Sequence, residues 1–273
     1  MCFNKNIATN FQDHATLPKT LRLIIKIPTN MKKLYPLLCV ALMTSTTLMA
    51  HAGEPIIISK TLGVQEDRAV KDFKGLAAGG PIDVIVKMGS TESVRFEGDA
   101  DAIATLVTEV KSGILIIRPK TSWTSWAKKY ENKKITAYVT AKQLNSLTMS
   151  GDGRIRVTGT IDGGEFATTL SGSGSITTDV DATQLTAVIS GSGTINIKGK
   201  ADKADVTMSG AGRFAGKSFA VQDLSTRISG SGIINIQAQS HIKALIVGGG
   251  QVLYTGSATV DKKVVGSGGV SKI

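Results

Sequence analysis

Residues 189–197 read Ile-Ser-Gly-Ser-Gly-Thr-Ile-Asn-Ile, and the Ser-Gly-x-Gly phrase inside them returns throughout the second half of the chain. It begins at Ser150, Ser171, Ser190, Ser209 and Ser229, and two altered copies start at Val247 and Val265. Successive steps are 21, 19, 19, 20, 18 and 18 residues. A period in this range marks a solenoid, because one turn of chain cannot bury its own apolar face and must stack on its neighbours.

The residues around each phrase give the turn an inside. Immediately before it stand Met149, Leu170, Ile189, Met208, Ile228, Ile246 and Val264. The fifth residue after each phrase begins is Ile155, Ile176, Ile195, Phe214, Ile234, Val252 or Val270. Five residues before the phrase lies a third column, Phe166, Leu185, Ala204, Leu224, Ile242 and Val260, with Asn145 the exception at the first copy. Three inward columns predict a filled tube. Segments such as Thr194-Ile195-Asn196-Ile197 alternate with the period of a strand, and the glycines supply corners that a Cβ would obstruct. Parallel coils spaced about 4.8 Å apart make seven of them a rod on the order of 34 Å long. Stacked Ser171, Ser190, Ser209 and Ser229 either form a hydrogen-bonded ladder or are small residues tolerated at a tight turn.

Toward the N-terminus the pattern changes. Met31-Lys32-Lys33, the apolar run Leu34 to Met49 and Ala50-His51-Ala52 make residues 31–52 a secretory signal peptide. Residues 1–30 then read as a leader from a mis-called start, and the mature chain is expected to be exported, to the periplasm, the outer surface or the medium. A lipoprotein reading of Cys39 is weaker, because ten residues separate it from the Ala-x-Ala site. Cys2 and Cys39 both precede the cut, so no disulfide is expected beyond it. Removing residues 1–52 takes away six Lys or Arg and one Asp, which lowers the net charge from +11 to +6. Neither a nucleic-acid partner nor a transmembrane helix is expected of its mature part.

Residues 53–79 form an N-terminal extension, residues 80–145 a cap region with first coils, and residues 146–273 the repeat proper. Within the cap, strands are expected at Ile82 to Val86, Ser93 to Phe96 and Ile114 to Ile117. Ile103, Leu106, Val107 and Val110 have helical spacing, with Asp99 or Asp101 as N-cap. An irregular first section would shield the tube end, since an open end is a row of unpaired strand groups. After Val270 no such cap is visible, which predicts that another subunit, as in a homo-oligomer, or irregular closing residues cover the C-terminal end.

Chemistry is sparse. Beyond residue 52 the sole histidine is His241, more often a surface turn residue than a base, and no Ser/His/Asp or Cys/His arrangement can be assembled. The Gly-Gly-x-Gly-x-Asp spacing of calcium-binding coils is absent. Asp162, Asp181 and Lys200 each stand nine residues before a phrase, which predicts a solvated ion-pair row in preference to a metal site. No catalytic residue, metal or cofactor is therefore assigned. Trp123, Trp126 and Tyr130, with Lys128 and Lys129 beside them, remain as a contact for a cell-surface glycan or protein. The alternative is that the tryptophans fold back and seal the first coil.

Gly193-Thr194-Ile195-Asn196 and Gly232-Ile233-Ile234-Asn235 carry a Gly-Ile-Asn-like signature. Upstream stand Lys74-Gly75-Leu76, Gly80-Pro81-Ile82-Asp83-Val84, Val94-Arg95-Phe96-Glu97-Gly98-Asp99 and Thr108-Glu109-Val110-Lys111-Ser112-Gly113. In these features, over roughly residues 70 to 240, the sequence resembles the putative auto-transporter adhesin family with the head GIN domain. The resemblance implies a right-handed parallel β-helix, shaped like pectin lyases but without their catalytic residues, with adhesion as its role. The leading expectation is a non-enzymatic exported adhesin or envelope element. Its rivals are a glycan-binding module using the aromatic loop and, third, a degenerate polysaccharide lyase.

Overall fold

The computed structural model describes residues 64–131 and 133–273, except the side chain of Trp123. The expected leader, signal peptide and both cysteines lie outside the described residues. The chain runs through β1 (Val64–Arg68), β2 (Gly75–Gly79), β3 (Asp83–Met88), β4 (Ser93–Gly98), α1 (Ala100–Ala104), β5 (Leu106–Lys111), β6 (Ile114–Pro119), α2 (Trp123–Lys129) and β7 (Ile135–Ala141). There follow β8 (Ser146–Gly151), β9 (Arg154–Gly172), β10 (Ser175–Gly191), β11 (Thr194–Gly210), β12 (Arg213–Gly230) and β13 (Ile233–Gly248). The last are β14 (Gln251–Thr255), β15 (Thr259–Val265) and β16 (Gly269–Lys272). The result is an all-β parallel solenoid of about seven turns.

The inward columns stack as their spacing requires. Met149, Leu170, Ile189, Met208, Ile228, Ile246 and Val264 are successive register partners across parallel strands. The first six are buried, and so are Ile155, Ile176, Ile195, Phe214, Ile234 and Val252 in the second column. Each such aliphatic side chain withdrawn from water contributes about 1.5–3 kcal/mol, which is why the tube needs no disulfide. In the last coil Val260 is 37% exposed, since no further coil lies over it.

The uneven period is absorbed away from the corners. Between the matched pairs Arg156/Thr177 and Thr160/Asp179, β9 has two residues more than β10, which accounts for a first step of 21 against 19. One extra residue in β12 between Ala215 and Ser218 accounts for the step of 20. Corners stay in strict register because backbone holds them: the Gly172 carbonyl accepts from Ser192 N at 3.0 Å and Gly193 N at 2.9 Å. Gly191 has φ +116°, and a Cβ there would lie 2.5 Å from the Gly172 oxygen. Ser150, Ser171, Ser190, Ser209 and Ser229 are register partners, but among the described residues no side-chain hydrogen bond joins them. The corner is a backbone device, and the serines are the small residues it tolerates.

At the N-terminal end the stacking order departs from chain order. β2 and β3, joined by a Gly79-Gly80-Pro81 corner, lie directly under β8 and β9. β6 and β7 lie under β2 and β3, with α2 in place of a corner. Antiparallel strands finish this end, β5 on β6, β4 on β7 and β1 on β4. The expected helix is confined to Ala100–Ala104, capped by Asp99, whose carboxylate accepts from Ala102 N at 3.1 Å. Leu106, Val107 and Val110 belong to a strand instead. A hairpin through Ser112 and Gly113, both at positive φ, pairs them with β6, and the β-branched Val107 and Val110 suit the ladder.

Candidate functional site

One cross-strand row runs the length of the outer face that follows the corner. Asp67, Arg95, Tyr138, Ile85 and Arg156 are consecutive register partners at the N-terminal end. The row continues through Thr177, Asn196, Ala215, Asn235, Leu253 and Ser271. Alternation in β7 decides which side Tyr138 takes: Ile135, Ala137, Val139 and Ala141 are buried, so Tyr138 faces outward and is 39% exposed. Ile85 beside it is 36% exposed.

A groove of about 880 Å³ opens over this end of the row, with Tyr138, Thr140, Ser93, Arg95, Glu97 and Asp67 in its lining. Arg95 donates to Asp67 at 2.8 Å, which raises the guanidinium pKa, and both side chains are largely exposed at the groove. Partial burial, followed by the Glu97 carboxylate, pushes the Tyr138 phenol above its ordinary range, so it stays a neutral hydroxyl. A second groove of about 360 Å³ lies further along the same face, lined in part by Thr177, Asn196, Lys198, Arg213 and Asn235. The face therefore offers an aromatic ring, a chain of amides and hydroxyls, one Arg95–Asp67 ion pair and the further charges of Glu97, Lys198 and Arg213. These are groups for recognition by hydrogen bonding and stacking.

The sequence-singled residues of the aromatic loop lie elsewhere, at the closed end. Trp126 is 3% exposed, its indole N–H donating to Thr105 Oγ1 at 2.7 Å. Its ring packs on Tyr130, with centroids 5.1 Å apart. Tyr130 is half-buried, with the Lys129 ammonium 5.1 Å from its ring centre, and Lys128 and Lys129 are exposed. The buried Trp126 indole is therefore not part of an exposed aromatic platform. The Trp123 side chain lies outside the described residues.

The other candidates are surface rows. Asp162 pairs in register with Asp181, and Lys200 reaches Asp181 at 3.2 Å, with both partners of that bridge substantially exposed. His241 is an outward residue of β13, not of a turn, with Nδ1 3.0 Å from Asp223 Oδ1. Among the described residues no group of three or more His, Cys, Asp or Glu is placed to hold a metal ion, and no helix is long and apolar enough to cross a membrane.

Two residues with distinctive placements are not marked by the sequence reading. Tyr138 is one, although alternation in residues 135–141 marks it as outward. Arg68 is the other: it donates to Leu106 O at 2.9 Å, Thr108 Oγ1 at 2.8 Å, Ile103 O at 2.9 Å and Glu66 at 2.8 Å. Its guanidinium also lies 4.8 Å from the Phe96 ring centre, so it ties β1 to the α1–β5 connection across the closed end.

The family described as putative auto-transporter adhesin, head GIN domain, matches residues 72–258. This chain belongs to that family. Similar solved structures include a putative adhesin from Bacteroides fragilis, 22% identical over 79% of this chain and 98% of that one, with a TM-score of 0.69. A putative lipid binding protein from Parabacteroides distasonis is 21% identical over 78% and 98% of the two chains, with a TM-score of 0.61. A putative adhesin from Parabacteroides merdae is 21% identical over 78% and 97%, with a TM-score of 0.60. At these identities the head GIN likeness to solved structures is one of fold. No curated protein matches the chain. The asparagines of the family signature, Asn196 and Asn235, both fall on the outward row, and Asn235 is only 5% exposed.

Proposed function

We propose that this head GIN protein is an exported, non-enzymatic adhesin whose contact surface is the face bearing the Tyr138 row, with a saccharide chain of a cell surface held in the groove. One observation carries the reading: an outward tyrosine lining an open groove, with the Asp67 carboxylate and Arg95 guanidinium paired in the same lining. Sugar rings present apolar C–H faces that stack on an aromatic ring, and hydroxyls that bridge such groups. The Lys-Lys start and Ala-x-Ala end of residues 31–52 support export. A lone histidine beyond residue 52, exposed on Asp223, supports a binding role over a catalytic one.

The test is retention on a panel of immobilised polysaccharides, with product analysis of the same incubations. Retention without turnover, reduced roughly tenfold by Tyr138→Ala at an unchanged unfolding midpoint, is expected. Turnover overturns the non-enzymatic reading. Retention that survives Tyr138→Ala but is lost in Lys128→Ala/Lys129→Ala moves the contact to α2, the rival location. Failure to be retained on any surface glycan refutes the saccharide reading.

A further inference from the structure

The last coil carries lysines at two positions whose partners in the coil before it are buried core residues. Leu115, Leu76, Leu147, Thr168, Ala187, Val206, Thr226 and Ala244 form one continuous inward column, each in register with the next. All eight are buried. The next residue in that column is Lys262, the partner of Ala244. On the other face Ile236 and Tyr254 stack inward, and the next residue in their column is Lys272. Val260 and Val264, which flank Lys262 at even spacing, keep the apolar identity of their own columns. The substitution is thus specific to two positions, one on each strand of the coil.

Both lysines are exposed, and neither forms an ion pair with a described residue. Their stems can lie over the apolar end while the ammoniums reach water. Any strand added to β15 or β16 in continuation of the tube would trap these charges between coils. A two-fold pairing of β15 with its copy, centred on Lys262, would match Asp261 with Lys263 on the outside. It would also set two ammoniums face to face inside, a like-charge contact in a water-excluded space. Inward-pointing charge is a known way for an edge strand to refuse pairing.

We propose that Lys262 and Lys272 finish the solenoid, holding the C-terminal coil as an end that excludes strand addition by a second copy of this chain. It is the alternative to an end covered by another subunit, and the two are separated by the experiment below. It is independent of the Tyr138 groove.

The experiment is sedimentation velocity over a concentration series on the protein and three variants. Lys262→Val/Lys272→Tyr restores the residue types of the columns, and Lys262→Ala/Lys272→Ala removes the charges with less gain in bulk. Lys263→Val makes the same loss of charge on the outer face. The wild type and Lys263→Val are expected to sediment as monomers, and both double variants to self-associate roughly 100-fold more tightly or better. A circular dichroism spectrum matching wild type confirms that each variant retains the coils. Wild type that already associates through this end, double variants as monomeric as wild type, or equal association by Lys263→Val would each overturn the proposal.

Discussion

Replacing Gly191 with alanine tests the corner on which the architecture rests. At φ +116° a non-glycine residue carries about 1–3 kcal/mol of strain. The added Cβ would lie 2.5 Å from Gly172 O, 3.1 Å from Gly172 C and 3.2 Å from Gly172 Cα, whereas ordinary contact begins at 3.4 Å. The obstructing atoms are backbone, so no rotamer change relieves them. Opening the corner by the roughly 0.9 Å difference weakens the two N–H bonds into Gly172 O, each worth about 0.5–1.5 kcal/mol net. Together these give a loss of roughly 3–5 kcal/mol. Because each coil contacts only its neighbours, the loss falls on one interface, and the two halves should unfold less cooperatively. Urea denaturation followed by circular dichroism should show a lower midpoint with a broadened or two-step transition. Gly164→Ala is the control, since a Cβ there meets nothing within 4 Å. Equal midpoints for the two variants would refute the claim that stacked backbone, and not glycine flexibility in general, fixes the corner.

Arg68→Met should cost about 2–3 kcal/mol, because it leaves the Ile103 and Leu106 carbonyls at the closed end without their charged donor. Hydrogen exchange should then rise in β1, β4 and β5 while the repeat coils stay protected, and uniform exchange throughout would contradict the strut. Asp99 has its pKa lowered, first by Lys133 at 2.8 Å and then by the Ala102 N–H. A depressed carboxylate stabilises the fold above its unfolded pKa, and that contribution disappears as pH falls through the folded value. Asp99→Asn keeps the cap but not the charge, so its deficit against wild type at neutral pH should vanish in strong acid. A deficit independent of pH would assign the effect to packing.

What was legible in the sequence is what repeats. Leu170, Ile189 and Met208 announce their column because the same register recurs seven times, and alternation fixes which neighbours face inward. The N-terminal end has no such redundancy. Gly79-Gly80-Pro81 is a corner without the serine phrase, and its coil stacks on a partner some seventy residues away in the chain. Spacing alone cannot reveal that order. The run Ile103 to Val110 satisfies a helical period, yet its second half takes the ladder with β6, because tertiary pairing outweighs local periodicity. Tyr138 was hidden for a different reason: a sheet's outer face carries no constraint from the core, so outward residues vary without a pattern to read. Lys262 was within reach, lying midway between two columns already assigned, but its meaning appears only once Ala244 is seen beneath it.

Two strands at the margins of the described sheet are dense in charge. In β1, at one described margin, three of five residues are charged, Glu66, Asp67 and Arg68. β15, at the other, has Asp261, Lys262 and Lys263 among seven. β10, paired on both sides, has only Asp179 and Asp181 in seventeen. A strand paired on both sides has no free ladder to defend, so its outer charge can vary widely, from the two of β10 to Lys198, Lys200, Asp202, Lys203 and Asp205 in β11. An edge strand presents free N–H and C=O groups, and desolvating a nearby charge is the cost that keeps another strand away. On the two proposals made above, the same physics separates two jobs: Lys262 and Lys272 would refuse a strand at the C-terminal end, and contact would fall to the lateral face where Tyr138 and Asn196 stand in one cross-strand row.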